Sequence, residues 1–97
     1  MNSIGKIIDN LKSAKHQLYT DFNINEIGVF GSYSRNEQNE NSDIDILIDL
    51  EKEIGLIKFL EIENCFQDIV GDKAEVVLKS DLRTELKEQI LKETIFI

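Results

Sequence analysis

Gly31-Ser32-Tyr33-Ser34-Arg35 and, further along, Ser42-Asp43-Ile44-Asp45-Ile46-Leu47-Ile48-Asp49-Leu50 form the stretch whose reading decides the fold. From Asp43 onward the chain alternates. Ile44, Ile46, Ile48 and Leu50 fall on one face and Asp43, Asp45, Leu47 and Asp49 on the other, the period-two pattern of a strand. Upstream, Glu26 to Phe30 predicts a shorter strand that ends at Gly31. A small-residue turn therefore closes one strand, and two carboxylates open the next. That arrangement suits a site that handles phosphate together with a divalent metal.

Outward from this segment the elements follow from spacing. Ile4, Ile7, Ile8, Leu11, Ala14 and Leu18 predict an amphipathic helix over 3–19, with Ser3 as its cap. Residues 34–42 are rich in Asn, Glu, Gln and Ser and form a polar connection that opens with a helical turn. Leu56, Phe59, Leu60, Phe66, Ile69 and Val70 predict a second helix over 55–70, broken at Gly71-Asp72. Ala74 to Leu78 predicts a third strand. Ser80 or Asp81 is the expected cap of a last helix carrying Leu82, Leu86, Ile90 and Ile95.

The carboxylates meet the Gly-Ser turn most easily if the first two strands run antiparallel. A helix between the second and third strands implies a parallel pair. The expected fold is α/β (α+β), a small mixed three-stranded sheet backed by helices, with Glu75 beside the start of the second strand.

Ninety-seven residues suit one domain, taken as 1–97. Nineteen acidic against eleven basic residues give a formal net charge of −8. With its lysines scattered, such a chain disfavours a long nucleic-acid substrate and favours a basic protein partner. Cys65 is the only cysteine, which fits a reducing compartment. Lys6, Asp9, Lys12 and Lys15 interrupt any signal-like apolar run, and no run approaches membrane-spanning length. A soluble, cytoplasmic protein that does not bind membrane is the expectation.

Asp43 and Asp45, two residues apart on a strand, point to the same face. Like charges so placed repel, and a divalent cation relieves them. Magnesium takes one or two carboxylates and fills its other positions with water and phosphate. A solvated strand start with two surface aspartates is the plainer alternative.

Gly31 lets backbone approach a phosphate, and the Ser32 hydroxyl with nearby amides supplies donors. Arg35 either adds positive charge to the same phosphates or is an exposed arginine. Glu75, an acid on a mostly apolar strand, either faces solvent or completes a three-carboxylate metal site, where it bridges two metals or accepts a proton from an attacking hydroxyl. Lys79 is a possible phosphate contact but better read as a surface residue. His16 and Cys65 receive no catalytic role.

These residues resemble the nucleotidyltransferase signature of the DNA polymerase β superfamily. Gly31-Ser32, ten residues, then Asp43-Ile44-Asp45 is most similar to the minimal nucleotidyltransferases, the MntA-type proteins, and the flanking elements extend the likeness over nearly the whole chain. Glu75 stands where aspartate is commoner in that family, and Asn36 where many members carry glycine.

The resemblance implies a polymerase β-like core in which Gly31, Ser32 and Arg35 hold the triphosphate of ATP. It further implies Asp43, Asp45 and Glu75 as magnesium ligands and catalytic acids. The implied activity is AMP transfer from ATP to a hydroxyl, a tyrosine for preference, of a cognate HEPN-domain RNase toxin, making the chain an adenylyltransferase antitoxin. The alternative is a weak or inactive antitoxin that neutralises its toxin by binding alone.

Overall fold

The computed structural model describes residues 3–71 and 73–97. Helix α1 runs Ile4–Phe22, and the Ser3 hydroxyl accepts from the Lys6 amide at 3.2 Å, as the cap reading expects. The helix ends where Asn23 takes a left-handed φ of 59°, its amide donating to Tyr19 O. Strand β1 follows at Ile24–Phe30, then a 3₁₀ turn at Gly31–Tyr33, then strand β2 at Ile44–Leu50. Helix α2 spans Leu56–Val70, strand β3 Ala74–Leu78, helix α3 Thr84–Glu93 and strand β4 Ile95–Phe96.

The sheet has four strands in the order β3-β2-β1-β4. β1 and β2 are antiparallel and β2 and β3 parallel, as the placement of the acids requires. One face of the sheet is closed by two helices. Ile7, Leu11 and Leu18 of α1 and Ile62, Phe66 and Val70 of α2 are buried in one cluster with Ile27, Val29, Ile44, Ile46 and Ile48. These are the apolar stripes of the helices meeting the apolar face of the alternating strand. Leu47, on the opposite face by alternation, is also buried but stands outside that cluster.

Four details differ from the sequence reading. β1 begins at Ile24 rather than Glu26, because Leu50 pairs back to Ile24 across an irregularity between Ile24 and Glu26. The helical turn opens at Gly31 rather than Ser34. Ser80 and Asp81 do not cap α3. They lie in a 3₁₀ turn at Lys79–Asp81, and the helix starts behind Arg83, whose side chain makes no cap. Asp72, named with Gly71 as the breaker of α2, lies outside the described residues, while Gly71 ends α2 with a φ of 68°.

The fourth difference is the extra strand. Ile95 does not continue α3. Thr94 turns extended, and Ile95 and Phe96 pair antiparallel with Val29 and Gly28. A β-branched, aromatic tail is better suited to a free sheet edge than to a helix. Gly28 makes the approach possible. A Cβ built there would collide with the Thr94 methyl and meet Phe96 Cδ1 at 3.2 Å. Thr94 has little freedom to yield, since its hydroxyl donates to Ile90 O at 2.6 Å.

Gly28→Ala is therefore expected to cost about 1–3 kcal/mol in urea unfolding, the ordinary penalty for overpacking. The Ile97 amide, which donates to Ile27 O at 2.9 Å, should exchange faster with solvent in the same variant. Unchanged stability and protection would mean that the tail does not depend on this contact.

Candidate active site

The register carries Asp45 to the centre of the site. Across β1 its partner is Phe30, the residue before Gly31, and across β3 its partner is Glu75. Phe30, Asp45 and Glu75 thus form one row across three strands, with neighbours about 5 Å apart in the hydrogen-bonding direction. Asp43 lies just outside β2 and is exposed, as is Glu75, while Asp45 is half-buried. Ile44, between the two aspartates, is fully buried, and its amide donates to Lys73 O at 2.9 Å. A hydrophobic anchor thereby fixes the height of both acids.

Gly31 has a second role beyond the one expected of it. Its φ of +76° is a left-handed conformation that favours glycine. A Cβ built on it would collide with Asp45 Oδ2 and lie 2.9 Å from Asp45 Cγ. The missing side chain is thus the space that the Asp45 carboxylate occupies.

The turn behind it is tightly bonded. Ser34 Oγ donates to Gly31 O at 2.8 Å, and the Ser34 and Arg35 amides donate to the same oxygen at 3.1 and 3.2 Å. Ser32 stands partly exposed within the turn. Asn36 has a φ of 58°. That explains why glycine suits the position and why asparagine, the residue most tolerant of this conformation after glycine, serves in its place.

Charge is concentrated around Asp45. Its pKa is raised from 3.8 to about 6, first by burial and then by the negative charges of Glu75 and Asp43. Arg35 opposes the rise and Glu93 adds to it. Arg35 itself is held by two carboxylates, Glu93 Oε2 at 2.9 Å from Nη1 and Glu37 Oε1 at 3.3 Å from Nε. Its pKa is raised, chiefly by the hydrogen bond to Glu93.

Among the described residues no three His, Cys, Asp or Glu side chains converge as a metal cage. Only Asp45 is withdrawn from solvent, and the three carboxylates repel one another. The donor set still fits magnesium, which needs one or two hard carboxylate oxygens and takes the rest from water and phosphate. The raised proton affinity of Asp45, due first to burial and then to Glu75 and Asp43, marks a carboxylate whose charge a cation would relieve.

All six residues expected at the site lie at this end of the sheet, and Glu93 joins them. Sequence reasoning placed the helix that carries Glu93 but not its contact, since residues 31 and 93 are far apart in the chain. The available signal was an acid in the last turn of a helix, where the dipole disfavours it. Lys79 lies elsewhere, paired with Glu26 at 2.8 Å at the opposite end of the strands. His16 is exposed on α1, and burial pushes the Cys65 thiol up. A cleft of about 450 Å³ between Asp49, Glu51, Ile54, Leu78 and Asp81 also lies at the opposite end and contains none of the expected site residues.

Ionising Asp45 costs the folded protein free energy, because its folded pKa exceeds the unfolded one. The cost is absent below 3.8 and fully present above about 6. Asp45→Asn escapes it. In metal-free buffer the variant is expected to melt higher than the parent at about pH 7.5, and the difference should close by about pH 4. A difference that ignores pH would assign the effect to packing.

Comparison with known proteins bears on the same residues. The nucleotidyltransferase-domain family matches residues 8–97. The MntA protein adenylyltransferase of Thermococcus cleftensis is 37% identical over 97 residues, an alignment that covers 100% of this chain and 98% of that protein. A solved structure described as a minimal nucleotidyltransferase superposes with a TM-score of 0.82 at 23% identity, covering 97% of this chain and 95% of that one, which speaks for the fold. A toxin–antitoxin structure with AMP-PNP superposes with a TM-score of 0.69 at 25% identity, covering 95% and 69%. With a matching family across most of its residues and an adenylyltransferase relative of the same extent, this chain belongs to the nucleotidyltransferase-domain family, alongside the MntA protein adenylyltransferases.

Proposed function

We propose that the chain is an adenylyltransferase antitoxin that moves AMP from ATP to a hydroxyl, a tyrosine for preference, of a cognate HEPN-type RNase toxin. The observation that carries this reading is the row at Asp45. A half-buried carboxylate is seated against a glycine turn, with Asp43 and Glu75 beside it. The MntA relative is named for the activity, and the toxin–antitoxin structure with AMP-PNP supports an ATP-like substrate and a toxin as partner.

In this reading Asp43, Asp45 and Glu75 would hold magnesium, which supplies charge neutralisation for the phosphates. The Gly31 turn lets the backbone approach the triphosphate, Ser32 donates to it through its hydroxyl, and Arg35 adds a cationic donor. The acceptor oxygen forms a bond to the α-phosphorus while the bond from that phosphorus to the bridging oxygen of pyrophosphate breaks. The hydroxyl proton goes to a carboxylate, for which we assign Glu75, exposed and next to Asp45 in register.

Most of the barrier reduction comes from holding the reactants in line. The lone Cys65 and the acidic surface suit the cytoplasm and a basic protein partner rather than long nucleic acid.

Incubating the product of the adjacent gene with this protein, ATP and magnesium should raise that product's intact mass by one or more AMP units. Asp43→Asn/Asp45→Asn should abolish the increment, with activity reduced by at least about a hundredfold, as expected when electrostatic stabilisation of the transition state is lost. A stable complex that silences the partner without any mass change would replace this reading with neutralisation by binding alone.

A further inference from the structure

Glu93 is in an unfavourable place. It lies in the last turn of α3, where the helix carbonyls already concentrate negative potential, and in the field of Asp45. Its side chain is only 20% exposed. Both of its oxygens are used. Oε2 accepts from Arg35 Nη1 at 2.9 Å, and Oε1 accepts from the Gly31 amide at 3.4 Å. One carboxylate thus joins the first residue of the 3₁₀ turn to the arginine just past it. Glu37 holds the Nε side of the same guanidinium at 3.3 Å.

A guanidinium is a rigid plane with five N–H donors. Two carboxylates on two of its nitrogens fix that plane and leave the remaining donors for another anion. The position of Glu93 is itself constrained. Thr94 follows directly, its methyl against Gly28 and its hydroxyl on Ile90 O, and β4 then locks onto β1.

We propose that Glu93 is the positioning residue of the phosphate turn. It is a clamp from the C-terminal helix that holds the Gly31 amide and the Arg35 guanidinium in one arrangement, aiming the remaining guanidinium donors at the nucleotide phosphates. Glu93 itself touches no substrate. What the clamp serves rests on the nucleotidyltransferase reading, but the clamp rests only on the contacts.

The sign of its effect separates this role from its opposite. A positioning carboxylate strengthens nucleotide binding, whereas a carboxylate that merely occupies phosphate donors weakens it. The test is calorimetric binding of AMP-PNP with magnesium by the full chain.

Glu93→Ala is expected to bind about tenfold more weakly, the scale of one charge-assisted contact. Glu93→Gln, whose amide has one acceptor oxygen where the carboxylate has two, keeps only one of the two contacts and should fall between parent and Ala. Glu93→Asp keeps the charge but is one methylene short of bridging both donors, and should bind as weakly as Ala. Arg35→Ala should be no weaker when combined with Glu93→Ala, because the glutamate acts through the arginine. Additive losses, tighter binding by Glu93→Ala, or parental affinity in Glu93→Asp would each overturn the proposal.

A second readout needs no nucleotide. In a ¹H–¹⁵N spectrum, Glu93→Asp should move the Gly31 amide and Arg35 Nε–H resonances and leave the amides of Ile46 and Phe66 in place. Unmoved Gly31 and Arg35 signals would overturn the clamp. A parent protein that binds no AMP-PNP would instead overturn the nucleotidyltransferase reading, and the clamp would be decided by the spectrum.

Discussion

The site depends on one steric fact, that the Asp45 carboxylate occupies the volume a side chain at residue 31 would need. The strand register brings the end of β1 beside Asp45, so the turn after Phe30 must pass directly over that carboxylate. Only a residue without Cβ allows the passage, and the left-handed φ of Gly31 selects the same residue for an independent reason. Backbone conformation and acid placement therefore cannot be changed separately. The glycine turn and the half-buried carboxylate are made adjacent by packing alone.

Such adjacency costs free energy, and the rest of the fold offsets it. Ile44, Ile46 and Ile48 alternate with the acids and are fully buried beneath α1 and α2. Burying each such side chain is worth about 1.5–3 kcal/mol. A slip of one residue in β2 would take the isoleucines off the helix-covered face and put the aspartates under the helices, so the core that fixes the register also fixes the acids. The raised pKa of Asp45 is the residual strain that this register leaves in place. Departures from local rules gathered at a functional site, including an acid at a helix C-terminus, are the usual mark of stability spent on function.

What the sequence made legible follows the range of the interactions. Alternation between Asp43 and Leu50, and the helical stripes of α1 and α2, are local patterns tied to one large core. From them the strand order of β1, β2 and β3 and the meeting of Gly31, Asp43, Asp45 and Glu75 could be worked out. β4 was not legible, because two residues carry no periodicity and their pairing depends on Gly28, far away in the chain. The start of α3 was misplaced for a different reason. Ser80 and Asp81 are good caps, but the chain uses them in a 3₁₀ turn and starts the helix behind an arginine with no cap at all. The contact of Glu93 with Gly31 and Arg35 was hidden by both failures at once, since it needs the end of α3 and the register of β4 together.

The charge pattern also bears on which form of nucleotide the site can accept. Asp43, Glu75 and Glu93 add negative charge around Asp45, and among the described residues Arg35 is the cation that opposes it. Arg35 is itself largely compensated by Glu93 and Glu37. A bare triphosphate entering such a field meets net repulsion, on a chain whose overall charge of −8 adds to it. A nucleotide that brings divalent cations meets carboxylates that need neutralising, and each component then relieves the charge of the other. In the proposed reaction metal and nucleotide would therefore be taken up together rather than singly. The few donors of the Gly31 turn and the fixed guanidinium then have only to orient the phosphates, not to pull them in.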